Sequence, residues 1–218
     1  MKDIIKIIKL DTISIYPYLT IKNLLIIIIL SIFYSFSAKS TTVIFGITQV
    51  FAVLFSSYPF LVGNESGIDS LYGILGIKRE NVVYGRYIWS MLINIFGIVL
   101  GIIFGSIISI FLKTDFIVQA LVISPTIFFM SSIVILIQYP LFFKYGYAKA
   151  KTVMSMLIIG VAIIGLSVMY FKETLIKVIE FVVSNILISI ILFILLYLAI
   201  NFLSIKLSTK YYKEREFW

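Results

Sequence analysis

The chain has 218 residues, 61% of them hydrophobic and only 13% charged, with a formal net charge of +8. Soluble domains carry roughly 25% charged residues, so an ordinary soluble domain is excluded. With no cysteine and no histidine, disulfides, thiolate chemistry, histidine metal ligation and imidazole acid–base catalysis are excluded as well.

The mean hydropathy of +1.14 is concentrated in apolar runs of about 20 residues, the length that crosses a hydrocarbon core about 30 Å thick. IIIIL, IVLGIIF and ILFILLYLAI are apolar on every face, as membrane helices are, and lack the alternation of a transmembrane β-barrel. The expected fold is all-α: a single polytopic transmembrane domain over residues 1–218 with six transmembrane helices.

Residues 1–19 open the chain as an interfacial helix. Lys2, Lys6 and Lys9 share one face and Ile4, Ile5 and Ile8 the other, the composition of a helix lying on an anionic leaflet. Tyr16, Pro17 and Tyr18 give a turn with aromatic anchors at headgroup level. Residues 20–62 hold two spans, from Thr20 to Phe36 and from Thr42 to Leu61. Residues 63–86, GNESGIDSLYGILGIKRENVVYGR, form the longest interruption of the apolar pattern. Within it Ile68, Leu71, Tyr72 and Leu75 fall at i, i+3, i+4 and i+7, one apolar helix face. Two readings stay open at this point: a docking helix between two spans, or a polar connector resting on the membrane surface.

Residues 87–205 supply the remaining spans. The third, Tyr87 to Leu112, carries Gly97, Gly101, Gly105 and Ser109 at four-residue intervals, a small-residue ladder that admits a neighbouring helix at close range. The fourth, Phe116 to Phe143, contains Pro125 and Pro140, each expected to bend or interrupt it. A short basic loop, Lys144 to Lys151, leads to the fifth span, Thr152 to Phe171. The mixed-charge loop Lys172 to Glu180 precedes the sixth, Phe181 to Ile205, and residues 206–218 form a polar tail.

Alternate loops divide the 18 Lys and Arg residues fourteen against four. The positive-inside rule then places both termini and residues 63–86 in the cytoplasm. This topology accounts for the net charge, so no nucleic-acid partner is implied. Every acid, and every Lys and Arg, is expected in a loop or terminus, which argues against an ion-coupled carrier. Ser131, Ser132, Gln138, Asn94, Asn185 and Asn201 lie within spans and read as helix–helix hydrogen-bonding groups. No metal site and no paired buried acids are expected, and no nucleotide-binding loop is present; GILGIKRE lacks the second glycine and the Lys-Ser/Thr ending of a phosphate loop. No catalytic residue is assigned, and any ATP-driven work would fall to a separate polypeptide.

The order of elements, and the segment YPFLVGNESGIDSLYGILGIKRENVVYGRYI within it, resembles the type-2 ABC-transporter permeases, the membrane subunits of many bacterial exporters. In that family the second span ends in acids, followed by an amphipathic coupling helix and a basic–polar–apolar lead into the third span. Glu65 and Asp69 stand for the acids, Gly67 to Ile77 for the coupling helix, and Lys78-Arg79-Glu80-Asn81-Val82-Val83 for the lead. The resemblance implies ATPase coupling through Glu65, Gly67, Ile68, Asp69, Leu71, Tyr72, Leu75, Lys78 and Arg79. It also implies a cytoplasmic ABC ATPase partner that binds ATP and Mg, a second permease, identical or related, and residence in the bacterial plasma membrane. Small size and the lack of an outer domain resemble exporters of toxin peptides and bacteriocins, including the phenol-soluble modulin exporter of Gram-positive bacteria. The family commonly has a re-entrant hairpin before the last span; Lys172 to Glu180 is too short for one, so span five or six would have to supply part of it. The competing reading is a membrane immunity or sensor subunit that binds a toxic peptide without moving it and needs no ATPase.

Overall fold

The computed structural model describes residues 2–168 and 184–215. Helix α1 (Lys2–Ile15) runs through a 3-10 turn (Tyr16–Tyr18) to α2 (Ile21–Ala38), α3 (Thr42–Ser66), the short α4 (Ile68–Ile74) and the long α5 (Arg79–Leu112). Helices α6 (Phe116–Val168) and α7 (Ile186–Glu214) complete the described chain. No strand occurs among the described residues. Five helices there are long and apolar enough to cross a membrane. The expected loop Lys172 to Glu180, with the end of the fifth span and the start of the sixth, lies outside the described residues.

The helix ends follow local chemistry. Thr20 caps α2, its hydroxyl accepting from the Asn23 amide at 3.4 Å, which satisfies one of the free N–H groups of the first turn. At the other end Lys39 adopts a left-handed φ of 50°. The Ser40 amide there reaches back to the Ser35 carbonyl at 3.1 Å and the Lys39 amide to Phe36 at 3.4 Å, the paired bonds of a Schellman stop. Lys113 ends α5 in the same conformation, φ 54°, with the Thr114 amide on the Ser109 carbonyl.

Helix α3 is the centre of the packing, touching α1, α2, α4, α5 and α6. Its approach to α5 is close because glycines line the contact. A Cβ at Gly97 would lie 2.9 Å from the Ala52 Cβ, and one at Gly101 would lie 2.8 Å from Phe45 Cδ1. Gly105 instead makes room for Phe116, at the start of α6. The glycine ladder thus serves contacts inside one subunit. Polar side chains add bonds across the helices: Asn94 Nδ2 donates to Ser132 Oγ at 2.8 Å, Ser131 Oγ donates to Asn94 Oδ1 at 2.8 Å, and Gln49 Nε2 donates to the Asn94 carbonyl at 3.0 Å. Asn185 instead sits at the start of α7, its carbonyl taking the Ser189 amide at 2.9 Å.

Three sequence expectations change. Helix α5 begins eight residues before Tyr87, so Arg79 to Arg86 belongs to the same continuous helix as the third span. At about 1.5 Å per residue this helix outruns a hydrocarbon core and carries its first turns beyond it. The expected loop Lys144 to Lys151 is helical except at Gly146, with φ 74° and ψ 171°, a backbone region open in practice only to glycine. Pro125 and Pro140 lie within helix, and the one non-helical residue, Gly146, falls inside the expected loop. Met130 and Met154 line one cavity, whereas a straight helix would hold them about 36 Å apart; the two halves of α6 therefore fold back on one another.

The third change concerns α1. Ile7, Asp11 and Ile15 are buried while Ile5 is exposed, so the helix faces inward on a stripe offset from the one the lysine spacing suggests. The reason is α5: Ile7 fills the space left by Gly85, where a Cβ would meet Ile7 Cγ2 at 2.8 Å.

Candidate functional site

At one end of the bundle, α1, α4, the first turns of α5, the Gly146 break and the end of α7 converge. An aromatic cluster holds them: Phe60 lies with ring centroids 4.9 Å from Phe143 and 5.0 Å from Tyr139, and Phe143 lies 5.2 Å from Tyr212. The opposite end carries the turns at Lys39 and Lys113.

Helix α4 is a two-turn element bounded by glycines. Gly67 and Gly76 both take left-handed φ, 67° and 66°, and neither would meet another atom through a Cβ; their role is conformational, not steric. The Ile77 amide bonds the Tyr72 carbonyl at 3.0 Å and the Gly76 amide bonds Gly73 at 3.1 Å, closing the helix tightly after its second turn. Asp69 and Tyr72 face inward, with Ile68 half-buried. Leu71, Ile74 and Leu75 face outward, 45%, 84% and 57% exposed. The apolar face expected from spacing is therefore divided: Tyr72 is turned into the protein, and Ile74 joins Leu71 and Leu75 on the open edge. Lys78 lies exposed at the start of α5, and Glu65 lies in the last turn of α3.

The inward side of α4 meets a buried charge cluster. Arg86 Nη2 donates to Asp69 Oδ1 at 2.5 Å and to the Pro59 carbonyl at 3.4 Å. Its Nε lies 3.8 Å from Asp11 Oδ2, and Tyr72 Oη donates to Asp11 Oδ1 at 2.9 Å. The guanidinium lies 4.6 Å from the centroid of the Phe60 ring and 5.7 Å from that of Phe143, at cation–π range. A Cβ at Gly63 would come within 3.2 Å of both Arg86 Nη2 and Asp69 Oδ1, so glycine there leaves the pair its space.

This corrects the expectation that charged residues stay in loops. Asp11, Asp69 and Arg86 are all buried, which physical chemistry allows because opposite charges and hydrogen bonds meet there. One guanidinium serves two carboxylates, and Asp69 holds the short contact. Burial pushes the Asp11 carboxyl up to about 6, against the pull of Arg86 and the Tyr72 hydroxyl. Burial and the Asp11 charge push the Tyr72 hydroxyl up, which keeps it a donor. The sequence shows these groups 58 and 17 residues apart; the one local sign was Asp69 at i−3 from Tyr72, a polar group on the inward stripe.

Arg79 acts elsewhere. Its Nη1 donates to the carbonyls of Tyr212, Lys213 and Arg215, at 3.2, 2.6 and 3.2 Å. That arrangement caps the C-terminus of α7, where carbonyls are left free and a cation is favoured. Tyr87 Oη adds bonds to Ser204 and Ser208 at 2.5 and 2.8 Å.

A separate cavity of about 660 Å³ lies between α3 and the two halves of α6. Apolar side chains such as Val50, Leu54, Met130 and Val134 make most of its wall, and Gln49, Gln138, Lys151 and three serines are among its polar members.

Apolar helices of spanning length, joined by short turns, define a multi-pass membrane protein. Its buried ionisable groups are tied to one another at one end of the bundle. Residues 6–213 match the family model described as ABC-2 family transporter protein. The chain belongs to that family: it is a permease subunit of an ABC transporter, of a kind that works with a partner ATPase subunit. Comparison with curated proteins and with solved structures gives no match.

Proposed function

We propose that this permease drives export from a bacterial cell, with the ATPase docking on the outer edge of α4. The observation that carries this reading is the open apolar edge of Leu71, Ile74 and Leu75. It stands on a short helix whose other face is fastened by buried charges. An apolar edge of that kind among cationic loops suits a protein partner at the membrane surface. Glu65, Gly67, Lys78 and Arg79 adjoin α4 along the chain, and Asp69, Ile68 and Tyr72 support its edge from behind. The fourteen-to-four division of Lys and Arg supports a cytoplasmic position for this end and both termini. The partner ATPase binds ATP and Mg; this chain contributes no catalytic group.

Six spans fit the chain, with Gly146 parting the fourth from the fifth. Two permeases, identical or related, associate to enclose the path. The cavity beside α3 supports an amphipathic cargo, since its wall is largely apolar, with Lys151, two glutamines and three serines adding polar groups. A peptide toxin, an antimicrobial peptide of the phenol-soluble modulin kind, or a lipid-like molecule has that character.

The test is co-purification from native membranes in mild detergent, with mass spectrometry of what accompanies the tagged chain. The native chain brings down a stoichiometric ATPase, and Ile74→Asp with Leu75→Asp reduces its recovery at least tenfold while the permease still accumulates. Recovery of the native chain alone would overturn the reading and favour a peptide-binding immunity subunit.

A further inference from the structure

The buried side of α4 has a role that docking alone does not require. Asp69 and Tyr72 are the two buried residues of this helix, and both end on the same cluster. Covalently, α4 is joined to its neighbours through Gly67 and Gly76, the two left-handed glycines. A force on its outer edge therefore reaches the bundle through the backbone at these glycines, through half-buried Ile68, or through the two buried polar side chains.

Arg86 receives that force, and its guanidinium reaches four helices besides its own. It belongs to α5, bonds Asp69 of α4, reaches the Pro59 carbonyl of α3, pairs with Asp11 of α1 and stacks near Phe143 of α6. Burial in so many contacts makes a displacement of one helix costly unless the others follow, because packed interiors do not deform smoothly. The cluster also has reserve bonding capacity: Arg86 Nε and Nη1 and Asp11 Oδ2 make no hydrogen bond. Closing the 3.8 Å gap between Nε and Oδ2 would give the guanidinium a second set of partners without stranding its charge.

We propose that Arg86 is the junction through which movement of α4 is passed to α5, α3 and α6, with Asp69 as its tether and Asp11 as the alternative acceptor. This rests on the reading of α4 as the ATPase-docking helix. Asp69 and Arg86 act as positioning residues: they touch neither nucleotide nor cargo, and they decide whether docking at one face of α4 alters the spans behind it.

The test uses the permease purified with its ATPase and held in lipid nanodiscs. Amide hydrogen exchange is followed with and without MgATP. In the native complex MgATP changes exchange in α4 and in the first turns of α5 together. In Asp69→Asn the ATPase stays bound and α4 still responds, but the response of α5 falls at least fivefold; Asp69→Glu retains it. Arg86→Lys, which keeps the charge and loses the fork, gives the same loss as Asp69→Asn and serves if that variant does not accumulate. A purely structural role would change α5 protection equally in both nucleotide states, leaving the nucleotide-dependent difference intact. An intact difference in both variants with ATPase bound would overturn the junction while leaving docking in place. Failure of the native chain to bind any ATPase would overturn the docking reading and the junction with it.

Discussion

At the scale of single residues, Asp11 carries the clearest solution consequence. Its carboxyl lies at about 6 in the folded protein against an ordinary value of 3.8, so between these values the docked α1 binds more protons than the undocked one. Linkage then makes docking of α1 strongest below about pH 4 and progressively weaker as pH rises through 6. The groups facing Asp11 are Arg86, Tyr72 and Asp69, and Arg86 remains a cation throughout. Amide protection of α1, corrected for intrinsic exchange, is expected to fall on the order of tenfold between pH 5 and pH 7.5. Asp11→Asn should flatten that dependence; a protection that rises with pH would contradict the burial argument. Gly146 shows the opposite kind of residue effect, where no charge is involved. Its backbone suits glycine alone, and a Cβ there would meet Arg215 Nη2 and Asn64 Oδ1 at 3.1 Å.

At the scale of elements, the two turns away from the charge cluster are the places where local rules are broken. Lys39 and Lys113 hold left-handed backbone with full side chains, at a cost of about 1–2 kcal/mol each relative to glycine. Glycine regains part of that cost through greater freedom in the unfolded chain. Lys39→Gly should therefore stabilise the fold by about 0.5–1 kcal/mol, raising the thermal midpoint by about 1–3 °C in a detergent melt. No gain, or a loss, would mean that the lysine side chain itself stabilises the turn. The helices were legible from the sequence because their signal is local: apolar length gives α2, α3, α5 and α7, and spacing marks α4. The facing of α1 and α4 was not, because both helices offer more apolar residues than one stripe can bury. Gly85, by admitting Ile7, selects the stripe on α1; Arg86, by drawing in Asp69, selects the one on α4. The break in α6 falls inside the expected loop Lys144 to Lys151, contracted to Gly146, whereas the two expected proline interruptions do not appear. Proline is the more visible interrupter, yet surrounding helices tolerate it in membrane proteins, while Gly146 turns the chain.

At the scale of the whole molecule, orientation is the property on which the docking proposal stands. The chain has no cysteine, so introduced thiols report without background. Lys39→Cys and Lys113→Cys should react with an impermeant maleimide added to intact cells, and Ser70→Cys only after permeabilisation. The reverse pattern would place α4 outside and remove the ATPase from reach. Composition made the class readable, and charge asymmetry supplies the orientation that this labelling tests. The buried cluster was out of reach because Asp11, Asp69 and Arg86 come from three separate elements, and no local pattern announces that three charges in apparent loops will neutralise one another in the interior.

The cap that Arg79 places on α7 has a consequence for how the molecule is made. Arg79 lies 133 to 136 residues before the carbonyls it serves, and Tyr87 lies 117 and 121 residues before its serine partners. During synthesis the α4–α5 corner emerges long before α7 exists to complete it. Loops of that length close slowly, so the newborn corner must wait in the membrane with its donors turned to water, headgroups or an insertion factor. The bonds of this corner are thus the last to be completed: the segment that leaves the ribosome near the end locks the one that appeared near the middle.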